Sequence, residues 1–229
     1  MTVITEYKVN DRILLAVDCI IFGFDGKDLK ALLIKRGFEP GFGNWSLMGG
    51  FVNIGESVNA GATRILKTLT GLTDVYMEQV QCFGEVDRDP GGRVVSIAYF
   101  ALIKIDDSAA LMKEHNAKWF DVRRTPPMIF DHKKMILMAK ERLRQKVANH
   151  PIGFELLPEK FTLPRLQNLY EAIYETTFDK RNFSRKILSL HILKKLEEKD
   201  KSLSKKGAFY YMFDSINYKQ LDYEGLKFI

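Results

Sequence analysis

A glycine-rich stretch, MGGFVNIGESVNAGATRILKTLTGL from Met48 to Leu72, constrains the fold more than any other feature. Its second half predicts a helix, since Ser57 can cap the N-terminus and Gly71 stands where a helix commonly ends. Two β-rich runs, at 13–24 and 29–35, precede it and are joined by the hairpin signal DGKD. Strands followed by a glycine-rich loop and a capped helix indicate a domain that mixes α and β structure.

Further elements extend this domain to about residue 150. The segments YMEQVQCFGEV and RVVSIAYFALIKI predict two strands joined by the turn DRDPGG, and a loop with a short strand follows. A helix is expected from Asp131, as its cap, to about Ala148. The order β–β–α–β–β–α defines a predicted first domain at 1–150, and the proline-containing segment at 151–160 is predicted to be a linker.

The tail, at 161–229, predicts a second domain of different character. TLPRLQNLYEAIY has the pattern of an amphipathic helix, and DKRNFSRKILSLHIL predicts a second helix that Asp179 can cap. A strand-like segment then alternates around Lys205–Lys206–Gly207, which predicts a hairpin turn. Two helices joined by the short link ETTF and followed by a hairpin are the arrangement of a winged helix-turn-helix.

Positive charge is concentrated in this second domain. The whole chain has a net charge of +6, but residues 180–206 alone hold ten basic and three acidic residues, a net of +7. In such a unit the second helix reads base edges and the hairpin tip contacts phosphates. The predicted DNA-binding residues are Lys180, Arg181, Asn182, Ser184 and Arg185 on the helix, with Lys205 and Lys206 at the tip. The alternative is a solvated basic face without a nucleic-acid partner.

The sequence also argues against membrane and secreted classes. The longest apolar run, ILLAVDCIIFGF, is interrupted by Asp18 and is too short to span a bilayer. The N-terminus lacks the basic-then-apolar order of a secretory signal. Cys19 and Cys82 have neither metal-site nor disulfide spacing, so buried free thiols are expected. We therefore predict a cytoplasmic protein that does not contact a membrane.

The glycine-rich stretch resembles the Nudix box, which reads G-x5-E-x7-R-E-U-x-E-E-x-G-U with U apolar. The residues that fall in register with it are Gly50, Glu56, Arg64, Leu66, Gly71 and Leu72. The resemblance implies a Nudix-like α/β/α sandwich around a mixed sheet. It also implies that Arg64 pairs with Glu56 to hold the loop and the helix together.

Three positions of the box depart from the family pattern. Active Nudix members carry glutamates one, four and five residues after the arginine, on one face of the helix, where they hold magnesium. This chain has Ile65, Thr68 and Leu69 at those positions, and magnesium needs hard oxygen ligands. We therefore expect no catalytic residues, no metal and no cofactor, and we predict that the protein is not an enzyme.

Other polar residues are expected to line the former catalytic cleft and to hold a small molecule. The candidate effector-binding residues are Arg36, Glu56, Glu85, Asp87, Arg88, Asp89 and Arg93. Two alternatives stay open. Some of these residues belong to ordinary turn chemistry, since Asp-Pro-Gly-Gly is a strong turn signal. Alternatively, the chain is a hydrolase of a nucleoside diphosphate derivative in which Glu85 or Asp87 replaces the lost metal ligands.

Both halves together resemble the Nudix-related transcriptional regulators, chiefly through WSLMGGFV, DRDPGGRVVSIAYFAL, PIGF and LYEAIY…DKRNF. The resemblance implies an α+β chain in which a Nudix-like sensor domain is followed by a DNA-binding winged helix-turn-helix. It also implies a homodimer on a palindromic double-stranded operator, which is released when an effector fills the cleft. The same segments resemble a branch that controls carbohydrate utilisation, so L-arabinose is favoured over ADP-ribose as the effector.

Overall fold

The computed structural model describes residues 11–108, 116–202 and 205–221. The loop predicted around 109–115 and the outer ends of the two predicted domains lie outside this part of the chain. Within it, no helix is long and apolar enough to cross a lipid bilayer.

The first domain is built on a mixed sheet that has seven strands within the described residues. They are β1 (Leu14–Phe24), β2 (Leu29–Lys35), β3 (Trp45–Ser46), β4 (Met48–Phe51), β5 (Tyr76–Phe83), β6 (Val94–Leu102) and β7 (Lys118–Asp121). The central strand, β1, pairs antiparallel with β2 and β4 and parallel with β6. Strand β5 continues the sheet beyond β6, and β7 pairs with β2. The predicted mixed sheet is confirmed.

Two helices, α1 (Val58–Thr70) and α2 (His132–Asn149), cover opposite faces of this sheet. Side chains alternate between the faces of β1, as the period of a strand requires. Val17 and Cys19 therefore pack in the core beneath α1, whereas Ile20 lies in the core beneath α2. This is the expected α/β/α sandwich, and it places Asp18 on the α2 side of the sheet.

Local signals position α1 as predicted. Ser57 Oγ accepts a hydrogen bond from the Ala60 N–H at 3.2 Å, which caps the helix. Gly71 ends it with a φ of +68°, a left-handed conformation that favours glycine. Asp131 stands at the N-cap position of α2, as predicted, but its side chain makes no capping bond and binds Arg88 instead.

The C-terminal part is a winged helix-turn-helix, as predicted. Its elements are β8 (Phe161–Thr162), α3 (Leu163–Tyr174), α4 (Lys180–Ser189), β9 (Leu193–Asp200), β10 (Ala208–Phe213) and α5 (Ser215–Leu221). The strands form one sheet in the order β8–β10–β9. Helices α3 and α4 pack through Tyr170 and Phe183, whose ring centroids are 5.6 Å apart. The link between them is held by Glu171, whose Oε1 accepts from the Phe178 N–H at 2.9 Å.

Three details differ from the sequence expectations. Helix α4 ends at Ser189 rather than near Leu193, because His191 adopts a φ of +54° and the following residues pair with β10. Cys82 is exposed, since it lies on the outer strand of the sheet, whereas Cys19 is buried. The segment 151–160 contains a short 3-10 helix at Pro151–Leu156 that packs in the core, and the domain boundaries themselves stay a prediction.

Candidate functional site

A cavity of about 100 Å³ lies on the α2 side of the sheet, beside the N-terminus of that helix. Its walls come from segments that are distant in sequence: β1, the end of β2 with the turn after it, β4, the DRDPGG turn and the start of α2. The side chains that give it chemical character are Asp18, Arg36, Phe38, Ser46, Arg88, Asp89, Phe130 and His132. The cavity therefore combines charged groups with aromatic faces.

A buried ionic cluster forms one wall of the cavity. The Arg88 guanidinium, which is 3% exposed, donates two hydrogen bonds to Asp131, at 2.8 and 3.0 Å. Asp18 Oδ2 lies 3.7 Å from the same guanidinium and accepts a hydrogen bond from Ser96 Oγ at 2.6 Å. Because each charge has a partner of opposite sign or a hydrogen-bond donor, the cluster can remain ionised in the protein interior.

His132, the first residue of α2, is held in a defined orientation. Its Nδ1 accepts a hydrogen bond from the Leu47 N–H at 3.1 Å, and Ser46 Oγ is 3.4 Å away. Burial lowers the pKa of His132 below its ordinary value of 6.5, so the imidazole is neutral at pH 7. With Nδ1 acting as an acceptor, the proton is assigned to Nε2, which faces Asp18 at 3.7 Å.

Aromatic side chains close the other side of the cavity around Arg36. The Arg36 guanidinium lies 3.9 Å from the ring centroid of Phe38 and 5.4 Å from that of Phe130, both at cation–π distance. Phe130 has a φ of +49°, an uncommon conformation for a bulky residue, immediately before α2. Strained backbone of this kind persists where the surrounding structure enforces it, often at ligand sites.

The cavity contains some of the predicted effector-binding residues and not others. Those among its lining residues are Arg36, Arg88 and Asp89. Glu85 and Asp87 lie on the exposed turn and line an adjoining depression with Lys134, which shares Arg88 and Phe130 with the cavity. Arg93 donates to the backbone carbonyls of the turn, at 3.0 and 3.2 Å, and lies outside the cavity lining. Binding by any of these residues stays a prediction.

Glu56 has the structural role that the box resemblance implies. Arg64 donates to both of its carboxylate oxygens, at 2.6 and 2.9 Å, and the Asn53 N–H donates to Oε1 at 2.8 Å. Hydrogen bonding by Arg64 lowers the pKa of Glu56 to about 2. Because its acceptor sites are occupied within the loop and it lies outside the cavity lining, Glu56 holds the loop to α1.

The box positions that hold magnesium in active Nudix members do not fit a metal here. Ile65 is buried beneath the sheet, and its side chain would meet a Cβ at Gly50 at 3.3 Å. Thr68 is exposed on the outer surface of α1 and Leu69 is half-buried against the apolar core. Ile65 and Leu69 supply no oxygen ligands and Thr68 supplies only a neutral hydroxyl, so we derive no reaction step through a metal at this helix.

Sequence reasoning missed Asp18, Ser46, Phe130 and His132. The one available signal was the aspartate inside an otherwise apolar strand, since a buried charge needs a partner or a ligand. His132 and Ser46 do not belong to any motif that the sequence shows. They meet Asp18 only because β1, β3 and the start of α2 converge in the folded chain.

The second candidate site is the basic surface of α4 and the wing. Asp179 Oδ1 accepts from the Asn182 N–H at 2.8 Å, so it caps α4 as predicted. Phe183 and Ile187 are buried, whereas the predicted base-reading side chains are exposed apart from Ser184, which is half-buried. Lys205 and Lys206 are exposed at the turn between β9 and β10. Contact with DNA by these particular residues stays a prediction.

The wing contains two further cations that the sequence did not single out. Lys195 Nζ lies 3.7 Å from the ring centroid of Phe209, and Lys199 Nζ lies 4.3 Å from it. Cation–π contact of this kind orients both ammonium groups over the face of one strand. The basic surface thus extends from α4 along β9.

Two family models match the chain, one for each domain. The model of the NUDIX domain matches residues 12–139, and the model of the NrtR DNA-binding winged helix domain matches residues 153–213. The chain belongs to the NrtR family.

Individual relatives agree with this assignment. The ADPR responsive transcriptional repressor NtrR of Acinetobacter baylyi is 32% identical over 92% of this chain and 86% of its own length. The crystal structure of Shewanella oneidensis NrtR complexed with a 27mer DNA superposes with a TM-score of 0.79 at 29% identity, covering 87% of this chain and 93% of that one. This chain is therefore a DNA-binding, NrtR-like regulator with a Nudix effector domain, in agreement with the fold and DNA predictions.

One relative is an enzyme. The ADP-ribose pyrophosphatase of Methanocaldococcus jannaschii is 36% identical over 62% of this chain and 79% of its own length. The names of the Acinetobacter and Methanocaldococcus relatives refer to ADP-ribose and not to L-arabinose. They do not support the expected sugar-responsive branch, which stays a prediction.

Proposed function

We propose that this chain is an effector-controlled repressor, in which the winged helix domain holds an operator and a small molecule in the Nudix-domain cavity releases it. The observation that carries the proposal is that one helix, α2, connects the two sites. Its 18 residues span about 27 Å, with His132 in the cavity and its second half against α3. A homodimer on a palindromic operator belongs to the same proposal, since two-fold symmetry needs matching half-sites.

Helix α2 is bound to the DNA-binding domain by a cluster of ion pairs. Lys140 Nζ and Arg144 Nη2 contact the two carboxylate oxygens of Glu175, at 2.5 and 2.9 Å. Arg144 Nε also donates to the Ile173 carbonyl at 2.7 Å. Hydrogen bonding by Lys140 and Arg144 lowers the pKa of Glu175. Because Glu175 follows α3 directly and begins the link to α4, a shift of α2 would move α4.

The charge of the cavity favours an uncharged ligand. The charged residues of its lining are two cations and two carboxylates, Arg36, Arg88, Asp18 and Asp89. With His132 neutral their formal charges cancel, and Arg88 is already paired with Asp131, so no net positive charge is left to offset that of a pyrophosphate. A neutral polyhydroxylated molecule is therefore better matched than a nucleotide.

The size of the cavity supports the same class of ligand. Its volume of about 100 Å³ equals the liquid volume of about three waters, so the cavity admits a small molecule and not a whole nucleotide. Carboxylates and arginine can bind hydroxyl groups, and the Phe38 and Phe130 rings can contact a sugar face. We therefore propose a pentose such as L-arabinose as the effector. ADP-ribose is the second candidate, favoured by the names of the relatives, and it would have to extend beyond the cavity.

Isothermal titration of the full-length protein with each compound tests the proposal. We expect L-arabinose to bind and ADP-ribose to bind more weakly, with or without Mg²⁺. Asp89→Ala should weaken sugar binding, whereas Asp87→Ala, two residues away and outside the cavity, should leave it unchanged. If ADP-ribose binds tightly and L-arabinose does not bind, the effector is the nucleotide and not the sugar.

The hydrolase alternative has its own readout. Incubation of the protein with ADP-ribose and Mg²⁺ or Mn²⁺ should release no nucleoside monophosphate, because the described residues place no trio of carboxylate, histidine or cysteine ligands that could hold a metal ion. If the protein does turn over ADP-ribose and Glu85→Ala or Asp87→Ala abolishes the turnover, those residues are the replacement metal ligands. That result would contradict the proposal of a repressor that has no catalytic activity.

A further inference from the structure

One oxygen of the buried Asp18 carboxylate faces the cavity without a hydrogen-bond partner. Asp18 is 8% exposed, and its Oδ2 is bound by Ser96 Oγ at 2.6 Å. Among the described residues, no donor lies within hydrogen-bond distance of Oδ1. A Cβ on Gly49 would stand 2.4 Å from Oδ1, so the glycine allows the carboxylate to sit against the backbone on that side. The free lone pairs are left to face the cavity.

The group opposite Oδ1 is a hydrogen-bond donor that also lacks a close partner. His132 Nε2 stands 3.7 Å from Asp18 Oδ1, beyond hydrogen-bond distance. The proton belongs on this nitrogen because Nδ1 accepts from the Leu47 N–H. Both residues are more than nine-tenths buried, and among the described residues neither of these two atoms is both fully enclosed and unpaired, so each stays open to the cavity. A donor and an acceptor therefore face the same gap.

We propose that this gap is a subsite for one hydroxyl group of the effector, which accepts a hydrogen bond from His132 Nε2 and donates one to Asp18 Oδ1. An oxygen about 2.8 Å from each atom fits a separation of 3.7 Å. A hydroxyl is the simplest group that both accepts and donates at one atom. A carbonyl, ether or phosphate oxygen cannot donate to the carboxylate, and an ammonium cannot accept from the imidazole.

This inference rests on the proposed function and makes it more specific, because it names the atom type that decides which ligand is accepted. A site built to bind a hydroxyl rejects the analogue that lacks it, since its buried polar groups are then left unpaired. The subsite also lies at the first residue of α2, so occupation of the gap acts directly on the helix that reaches the DNA-binding domain.

Titration of the full-length protein with L-arabinose and with each of its monodeoxy analogues tests the subsite. One analogue should bind at least about 100-fold more weakly than the parent sugar. In the near-isosteric variant Asp18→Asn the parent sugar should bind more weakly and the penalty for that analogue should fall below about tenfold. Asp25→Asn, the same change in the exposed turn after β1, should keep the wild-type pattern. The inference is overturned if the deoxy analogue loses as much affinity in Asp18→Asn as in the wild type. It is also overturned if no deoxy analogue binds the wild type more weakly than L-arabinose does.

Nitrogen-15 NMR of the histidine side chains decides the premise without any ligand. The unliganded protein should show His132 neutral with its proton on Nε2. A proton on Nδ1, or a doubly protonated ring at pH 7, would overturn the subsite whatever binds elsewhere. Failure of L-arabinose, its analogues and ADP-ribose to bind the wild type would instead contradict the proposed function, and the two failures are thereby distinguished.

Discussion

Replacement of Arg88 by alanine should destabilise the Nudix domain more than any surface substitution. The Arg88 side chain is 3% exposed, and its two hydrogen bonds to Asp131 and its approach to Asp18 would all be lost. The two carboxylates, 18% and 11% exposed as side chains, would be left without the cation. Removing one partner of a buried pair costs about 3–5 kcal/mol, which is a large part of the stability of a typical domain.

Urea unfolding followed by tryptophan fluorescence measures this effect in the correct domain, because Trp45 and Trp119 are the two tryptophans of the chain. With a slope of roughly 2 kcal/mol per molar urea, the midpoint should fall by about 1.5–2.5 M. Arg142→Ala is the matched control. Arg142 also pairs with a carboxylate, Glu78 at 2.9 Å, but its side chain is 42% exposed.

Exposed pairs contribute about 0–1 kcal/mol, so the Arg142 control should move the midpoint by less than about 0.5 M. A double-mutant cycle of Arg88→Ala with Asp131→Ala should show coupling between the two residues, since they contact each other directly. If Arg88→Ala shifts the midpoint no further than Arg142→Ala, the cluster does not hold the cavity wall and the reasoning is refuted.

Three further outcomes are expected. Tyr170→Phe should raise stability by up to about 1–3 kcal/mol in thermal unfolding, because the buried Tyr170 hydroxyl has no hydrogen-bond partner among the described residues; a clear loss would contradict this. Because the folded pKa of His132 lies below 6.5, the unfolded chain binds more protons between those values and stability falls as the pH drops below 6.5. His132→Gln should make that fall shallower in urea titrations at several pH values, and an unchanged slope would contradict it. Lys205→Ala should weaken binding to all duplexes and reduce the slope of log affinity against log salt by about one, whereas an unchanged slope would remove Lys205 from the phosphate contacts.

Elements that depend on local signals could be predicted from the sequence. The capped helix α1 follows from Ser57 and Gly71, and the resemblance to the Nudix box implied the ion pair between Glu56 and Arg64. The helix-turn-helix followed from apolar periodicity and the Asp179 cap. Each of these signals lies within a few residues or turns of the structure that it specifies.

Features that depend on distant contacts could not be predicted in the same way. LKKLEEKD has good helix formers, yet it forms β9 because it pairs with β10, so tertiary context overrides propensity. Asp131 has the residue type of a helix cap, but Arg88, far away in the sequence, binds its carboxylate. The cavity joins Asp18 to His132 across the whole first domain, and only the folded sheet brings them together.

The link between the cavity and the DNA-binding surface is tested most directly by one equilibrium titration. The full-length protein is bound, at fixed salt, to a duplex that it has itself selected from a random library, and L-arabinose is added to saturation. Operator affinity should fall about 5–150-fold, the range of an allosteric coupling of about 1–3 kcal/mol. An affinity that stays constant while the sugar demonstrably occupies the cavity would contradict control of DNA binding through this site.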